Sequence, residues 1–164
     1  MQIFNGKYTS KPEAPFVVFI FGMRINNILF FWLWLPFLIR LIRIVSRLRN
    51  YRESGMMNAH LFFSGMSLGV IQYWDSFDKL EVFAKDNNDL HMPNNKKYKK
   101  TVGKSGFVGI WHETYLVEHD KFETMYYNMP KWGLARATNH HIEVPVVQEQ
   151  ARQRLEMYSN QQEL

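Results

Sequence analysis

His112 and Glu113 stand side by side in the run Phe107–Val117 (FVGIWHETYLV), which is otherwise mostly apolar or aromatic. An imidazole and a carboxylate are the side chains best suited to moving a proton near neutral pH. The run reads as a β-strand. Alternation puts Val108, Ile110, His112, Thr114 and Leu116 on one face and Phe107, Gly109, Trp111, Glu113 and Tyr115 on the other. His112 and Glu113 therefore point to opposite faces, and at most one looks directly into a pocket. Ionisable groups among apolar neighbours are costly unless paired. His112 suits a general base, a hydrogen-bond donor or a haem ligand. The competing reading is a core histidine bonded to a backbone carbonyl. Glu113 is the second catalytic candidate.

Other polar and aromatic residues extend the candidate site. Arg24 and Asn26 share one face near the end of Phe16–Ile25. Arg24 could hold a substrate carboxylate or pair with Glu113 or Glu123. Trp74, Trp111, Tyr115 and Tyr126 are candidate substrate contacts, with packing the competing role for Trp74. His91, in a polar break, is a surface histidine by default and the second candidate haem ligand after His112.

Several motifs fail on their own mechanics. Gly103-Lys104-Ser105 lacks the phosphate-loop glycine five positions earlier, where Tyr98 stands. His112-Glu113 lacks the second zinc-binding histidine, since position 116 is Leu116. No dinucleotide fingerprint or nucleophile elbow occurs. His140-His141 sit in a polar tail, where neighbouring side chains diverge. No metal site is expected.

These residues need a scaffold. Residues 1–14 read as a polar N-terminal arm. Residues 15–137 read as one α+β domain, and residues 138–164 as a polar C-terminal arm with a short helix from about Val147 to Tyr158. Within the domain, Phe16–Ile25 predicts a strand and Asn26-Asn27 cap a helix running to about Tyr51. Met57–Phe63 and Ser67–Trp74 predict a hairpin across Ser64-Gly65. Phe77–Lys85 predicts a helix, and a short basic helix is expected from about Asn95 to Thr101. Phe107–Val117 and Phe122–Asn128 predict two strands joined by a polar turn. The order β-α-β-β-α-β with an extra strand suits a ferredoxin-like antiparallel sheet with helices on one face. Pairing two such sheets into a dimeric α/β barrel would bury the other face.

The bulk composition narrows the function classes. A chain of 164 residues, 46% hydrophobic, can bury a substantial core. The 16% aromatic share could line a large apolar pocket or a subunit contact. With no cysteine, disulfides and thiolate metal sites are excluded. The net charge of +5 gathers in Arg40–Arg52 and Lys96–Lys104. These read as solvated helix faces, so no nucleic-acid partner is expected. No signal peptide is evident, and the cytoplasm is the expected compartment.

Ile28–Ile39 (ILFFWLWLPFLI) is the most apolar stretch, but a spanning helix needs about 20 such residues. Arginines follow at once. A buried or dimer-contact helix is the first reading, and peripheral membrane contact through Ile28–Arg49 the second.

The stretches Phe21–Asn26, Gln72–Phe77 with Leu80 and Ala84, Gly109–Tyr115, Glu123–Tyr126, Asn128–Pro130 and Gly133-Leu134 carry a resemblance over roughly residues 15–137. The chain resembles the family labelled domain of unknown function 4188, described as similar to the small monooxygenase of fungal fumagillin biosynthesis. That resemblance implies a homodimeric α/β barrel related to the antibiotic-biosynthesis monooxygenases. Such enzymes oxidise a small hydrophobic organic substrate between sheet and helices. Some need no metal or flavin, and related barrels bind haem. No required cofactor is the expectation here, with haem the alternative. One departure is visible: where the family has an aromatic residue soon after a histidine, His91 is followed by Met92, Pro93 and a Lys/Asn-rich run.

Overall fold

The computed structural model describes residues 2–50, 55–85, 104–119, 121–138, 142–143 and 150–159. The expected basic helix near 95–101, His91 and His140-His141 lie outside the described residues.

The central element is β2 (Phe16–Ile25), whose β-branched and aromatic residues favour a half-buried pleated strand. It lies between β4 (Ser67–Trp74) and β5 (Val108–Val117), and β3 (Met56–Ser64) flanks β4, giving a four-stranded sheet in the order β3-β4-β2-β5. Every neighbouring pair is antiparallel. The helix α1 (Phe31–Asn50) joins β2 to β3, and α2 (Phe77–Lys85) joins β4 to β5. This is the ferredoxin-like α+β arrangement expected from the strand order. Leu33, Trp34 and Leu38 of α1, with Leu80 and Phe83 of α2, pack on Val17, Met23, Leu68, Val70 and Trp74. Paired residues of antiparallel strands share a face, so these contacts define one helix-covered side of the sheet.

The helix α1 starts at Phe31, later than the asparagine caps suggest. Leu29 N–H donates to Asn27 Oδ1 at 3.1 Å, forming a turn before the helix. Pro36 lies inside α1 and removes one helical hydrogen bond.

Two expectations change. Residues 1–14 contain a strand, β1 (Phe4–Thr9), with Tyr8, Thr9 and Ser10 buried. The last strand of the domain is β6 (Tyr126–Met129), and it pairs with β1 rather than with β5. Phe107 to Asn128 is therefore no hairpin. The chain between is drawn away by side-chain bonds: Thr9 Oγ1 donates to Thr124 O at 2.6 Å, and Glu123 pairs with the buried Arg154. A two-residue β7 (Ile142–Glu143) completes a second sheet in the order β6-β1-β7. Short helices α3 (Gly133–Ala137) and α4 (Ala151–Ser159) follow, the latter overlapping the expected C-terminal helix and ending one residue beyond it.

Candidate active site

The register between β2 and β5 assigns the two faces. Phe19 pairs with Thr114 and Phe21 with His112, whereas Ile20 pairs with Glu113 and Gly22 with Trp111. Phe19 and Phe21 pack against the core on the helix side. His112 is thus on the helix side, and Glu113 on the opposite face with Trp111 and Tyr115.

On the helix side, α1 and α2 cover β3 and β4 more completely than β5. Phe19 and Phe21 are half-buried, while His112, Thr114 and Leu116 are exposed. The His112 ring lies 5.9 Å from the Phe19 ring, and Phe19 stacks with Phe21 at 6.4 Å. The result is a shelf of two phenyl rings with an imidazole at its edge. An apolar molecule lying there would lose its water against the rings and meet a group able to take a proton.

Glu113 is exposed on the other face. Tyr115 Oη donates to Glu113 Oε2 at 2.7 Å, and this bond to a carboxylate raises the Tyr115 pKa. The pairing of Arg24 with Glu113 or Glu123 does not form. Arg24 sits opposite Ser67 and Gly109, Glu113 binds Tyr115, and Glu123 binds Arg154. Asn26 Nδ2 donates to Gly106 O at 2.8 Å, tying the loop before β5 to the end of β2. Trp74 is fully buried on the helix side, donates from Nε1 to Gln72 Oε1 at 2.9 Å and packs against Phe83 at 5.3 Å. Its described contacts are those of packing.

Trp111 lies across the middle of the open face. A Cβ added to Gly22 would sit 2.9 Å from the Trp111 indole, and one added to Gly69, the direct partner of Gly22, only 2.4 Å from the Phe62 ring. Two glycines thus make room for two rings lying flat on the strands.

A polar cluster that the sequence reading missed occupies the end of this face. His60 is 4% exposed and Asn58 6%. The Asn58 amide nitrogen lies 2.7 Å from His60 Nε2, and the Trp132 ring covers the imidazole at 4.2 Å. Tyr73 approaches His60 edge-on at 6.3 Å. Burial, with the neighbouring Tyr126, pushes the Tyr73 phenol up to about 12. Tyr126 stacks on Tyr8 at 5.1 Å and accepts a bond from Ala135 N–H at 3.3 Å; burial raises its pKa as well. The signal was available, because Asn58 and His60 interrupt an otherwise apolar strand at alternate positions. Among the described residues, no group of three or more His, Cys, Asp or Glu is placed to hold a metal ion.

A family model described as monooxygenase af470-like matches residues 16–134. The chain belongs to this family. The match begins at β2 and ends within α3, so it covers the four-stranded sheet, α1, α2 and the Trp132–Gly133 cap, and leaves out β1, β7 and α4.

No curated protein matches the chain. Among solved structures, a conserved protein of unknown function from Bacteroides thetaiotaomicron, described as a possible oxidoreductase, is similar at 11% identity. Its TM-score is 0.42, over 62% of this chain and 97% of that one. A protein from Shewanella oneidensis is similar at 11% identity and TM-score 0.41, over 66% of this chain and 94% of that one.

Proposed function

We propose that this member of the monooxygenase af470-like family oxidises a small hydrophobic organic substrate on the helix side of β2 and β5. The carrying observation is the register that sets His112 beside Phe19 and Phe21 on the helix-packed side. The substrate class is a carbon acid flanked by aromatic or carbonyl groups. Such a molecule stacks on phenyl rings and yields an electron-rich carbanion on losing a proton.

His112 acts as the base. Its imidazole takes a proton from the activated CH2, and molecular oxygen adds to the resulting carbanion. The imidazolium returns its proton to the peroxide anion. The imidazole then takes the second C–H proton as the C=O forms and the O–O bond breaks, and the hydroxide released combines with that proton to give water. One CH2 and one O2 become one C=O and one H2O, so no external reductant is consumed. Glu113 points away from this shelf and is already bonded to Tyr115. It therefore serves the opposite face, which we assign to pairing with a second copy of the chain through Trp111 and its surroundings. The finer likeness, to the fumagillin-biosynthesis monooxygenase, is part of this same proposal.

No cofactor is required in this scheme. Haem is the alternative: its flat apolar ring suits the phenyl shelf, and His112 is the ligand candidate among the described residues. A bound haem would supply oxygen activation at iron.

The test uses protein freed of metals by chelator and a panel of carbon acids that includes anthrone. Oxygen uptake should match quinone formation mole for mole, with one atom of labelled oxygen in the product. Uptake no faster than in buffer across the panel would overturn the proposal. A Soret band appearing on addition of haemin, and lost in His112→Ala, would favour the haem alternative.

A further inference from the structure

One end of the four-stranded sheet exposes apolar side chains from two segments that are tied together. Ile28 is 58% exposed, Leu29 74%, Phe31 55% and Trp32 57%, all at the β2–α1 junction. Phe63 is 78% exposed and Met66 40% at the β3–β4 hairpin. Backbone bonds hold these segments side by side: Ile25 N–H donates to Met66 O at 2.8 Å, and Asn26 N–H to Phe107 O at 2.9 Å. Phe30 stacks on Phe107 at 4.2 Å, which anchors the junction to the loop before β5. The exposed residues thus stand on a braced rim.

Among the described residues, the charges in the segments that form this rim are of one sign. Arg24 and Lys104 are exposed in the segments that form it, and Arg43 is exposed further along α1. Residues 24–32, 61–68 and 104–108 contain no Asp or Glu. No helix among the described residues is long and apolar enough to cross a membrane. A surface that combines Trp, Phe and Leu with cations, and has no span, fits the headgroup boundary of a bilayer, where rings enter the interface and cations meet lipid phosphates.

We propose that this end of the domain docks on the surface of a membrane containing anionic lipid. Leu29, Trp32 and Phe63 enter the interface, and Arg24 and Lys104 contact the headgroups. Docking there is separate from the oxidation chemistry and stands or falls independently of it.

The test is co-sedimentation of the full chain with phosphatidylcholine vesicles, with and without one-fifth phosphatidylserine. Binding should need the anionic lipid and weaken as salt rises. Leu29→Glu and Phe63→Glu are both at exposed positions, so the fold tolerates them. Each should weaken binding roughly tenfold or more, the loss expected from removing one buried leucine or phenylalanine from the interface. Absence of binding to anionic vesicles would overturn the proposal, as would equal binding to neutral ones. So would a dimer in solution that Leu29→Glu splits while vesicles leave it unbound, because the rim would then be a contact between copies.

Discussion

The two faces of the four-stranded sheet each carry a histidine, and the two differ in burial and in partners. His60 is enclosed: Asn58 contacts its ring nitrogen, Trp132 covers it, and Tyr73 stands beside it. His112 is exposed, with Phe19 and Phe21 beside it. A buried polar group with its partners in place fixes the packing around it, whereas a catalytic base must be reachable by substrate. The same strand geometry thus encloses one histidine and leaves the other open to solvent.

The comparison breaks most visibly on stability. His60→Ala leaves the buried Asn58 amide facing a void and removes the contact with Trp132. It should cost roughly 2–4 kcal/mol. His112→Ala, at an exposed position, should change stability by no more than about 0.5 kcal/mol. Urea unfolding of both variants measures this. Equal losses would mean that His112 is a structural residue like His60.

Gly133→Ala should come next. Gly133 has φ +53°, and an added Cβ would approach Tyr73 Oη to 3.2 Å. A loss of about 1–2 kcal/mol is expected, with weakened cover over His60. Thermal unfolding and the near-ultraviolet signal of the aromatic cluster report it. Asn26→Ala should cost about 1 kcal/mol through the lost bond to Gly106, and Arg24→Ala, which has no such bond to lose, much less.

The smallest effect is on pH dependence. The folded Tyr73 phenol titrates near 12 against an ordinary 10, so the unfolded chain binds fewer protons between these values. The stabilising contribution of the neutral phenol is complete below pH 10 and is lost as pH rises toward 12. Tyr73→Phe should flatten that alkaline fall in melting temperature. An unchanged slope would show that Tyr73 does not report the cluster's burial.

How far the sequence could be read follows from the reach of each interaction. Strand alternation in Phe16–Ile25 and Ser67–Trp74 is local, so those strands and their order were legible. The opposition of His112 and Glu113 was legible for the same reason. Which face met the helices was not, because it depends on β2 pairing with residues about 90 positions away. The strand Phe4–Thr9 was hidden because its partners, Tyr126–Met129 and Ile142–Glu143, lie more than a hundred residues downstream. His60 was legible only as a polar residue alternating with Asn58 in an apolar strand; its enclosure was not, because its cover, Trp132, comes from a turn after the last strand of the domain.

The central claim is that the helix-side histidine, and not the carboxylate beside it in sequence, moves the proton. Its most direct test compares initial rates of oxygen uptake for the wild type, His112→Gln and Glu113→Gln on the carbon acid that turns over best. The account predicts a fall of roughly a hundredfold or more for His112→Gln, with Glu113→Gln close to wild type. Full turnover by folded His112→Gln, or an equal collapse in Glu113→Gln, would contradict it.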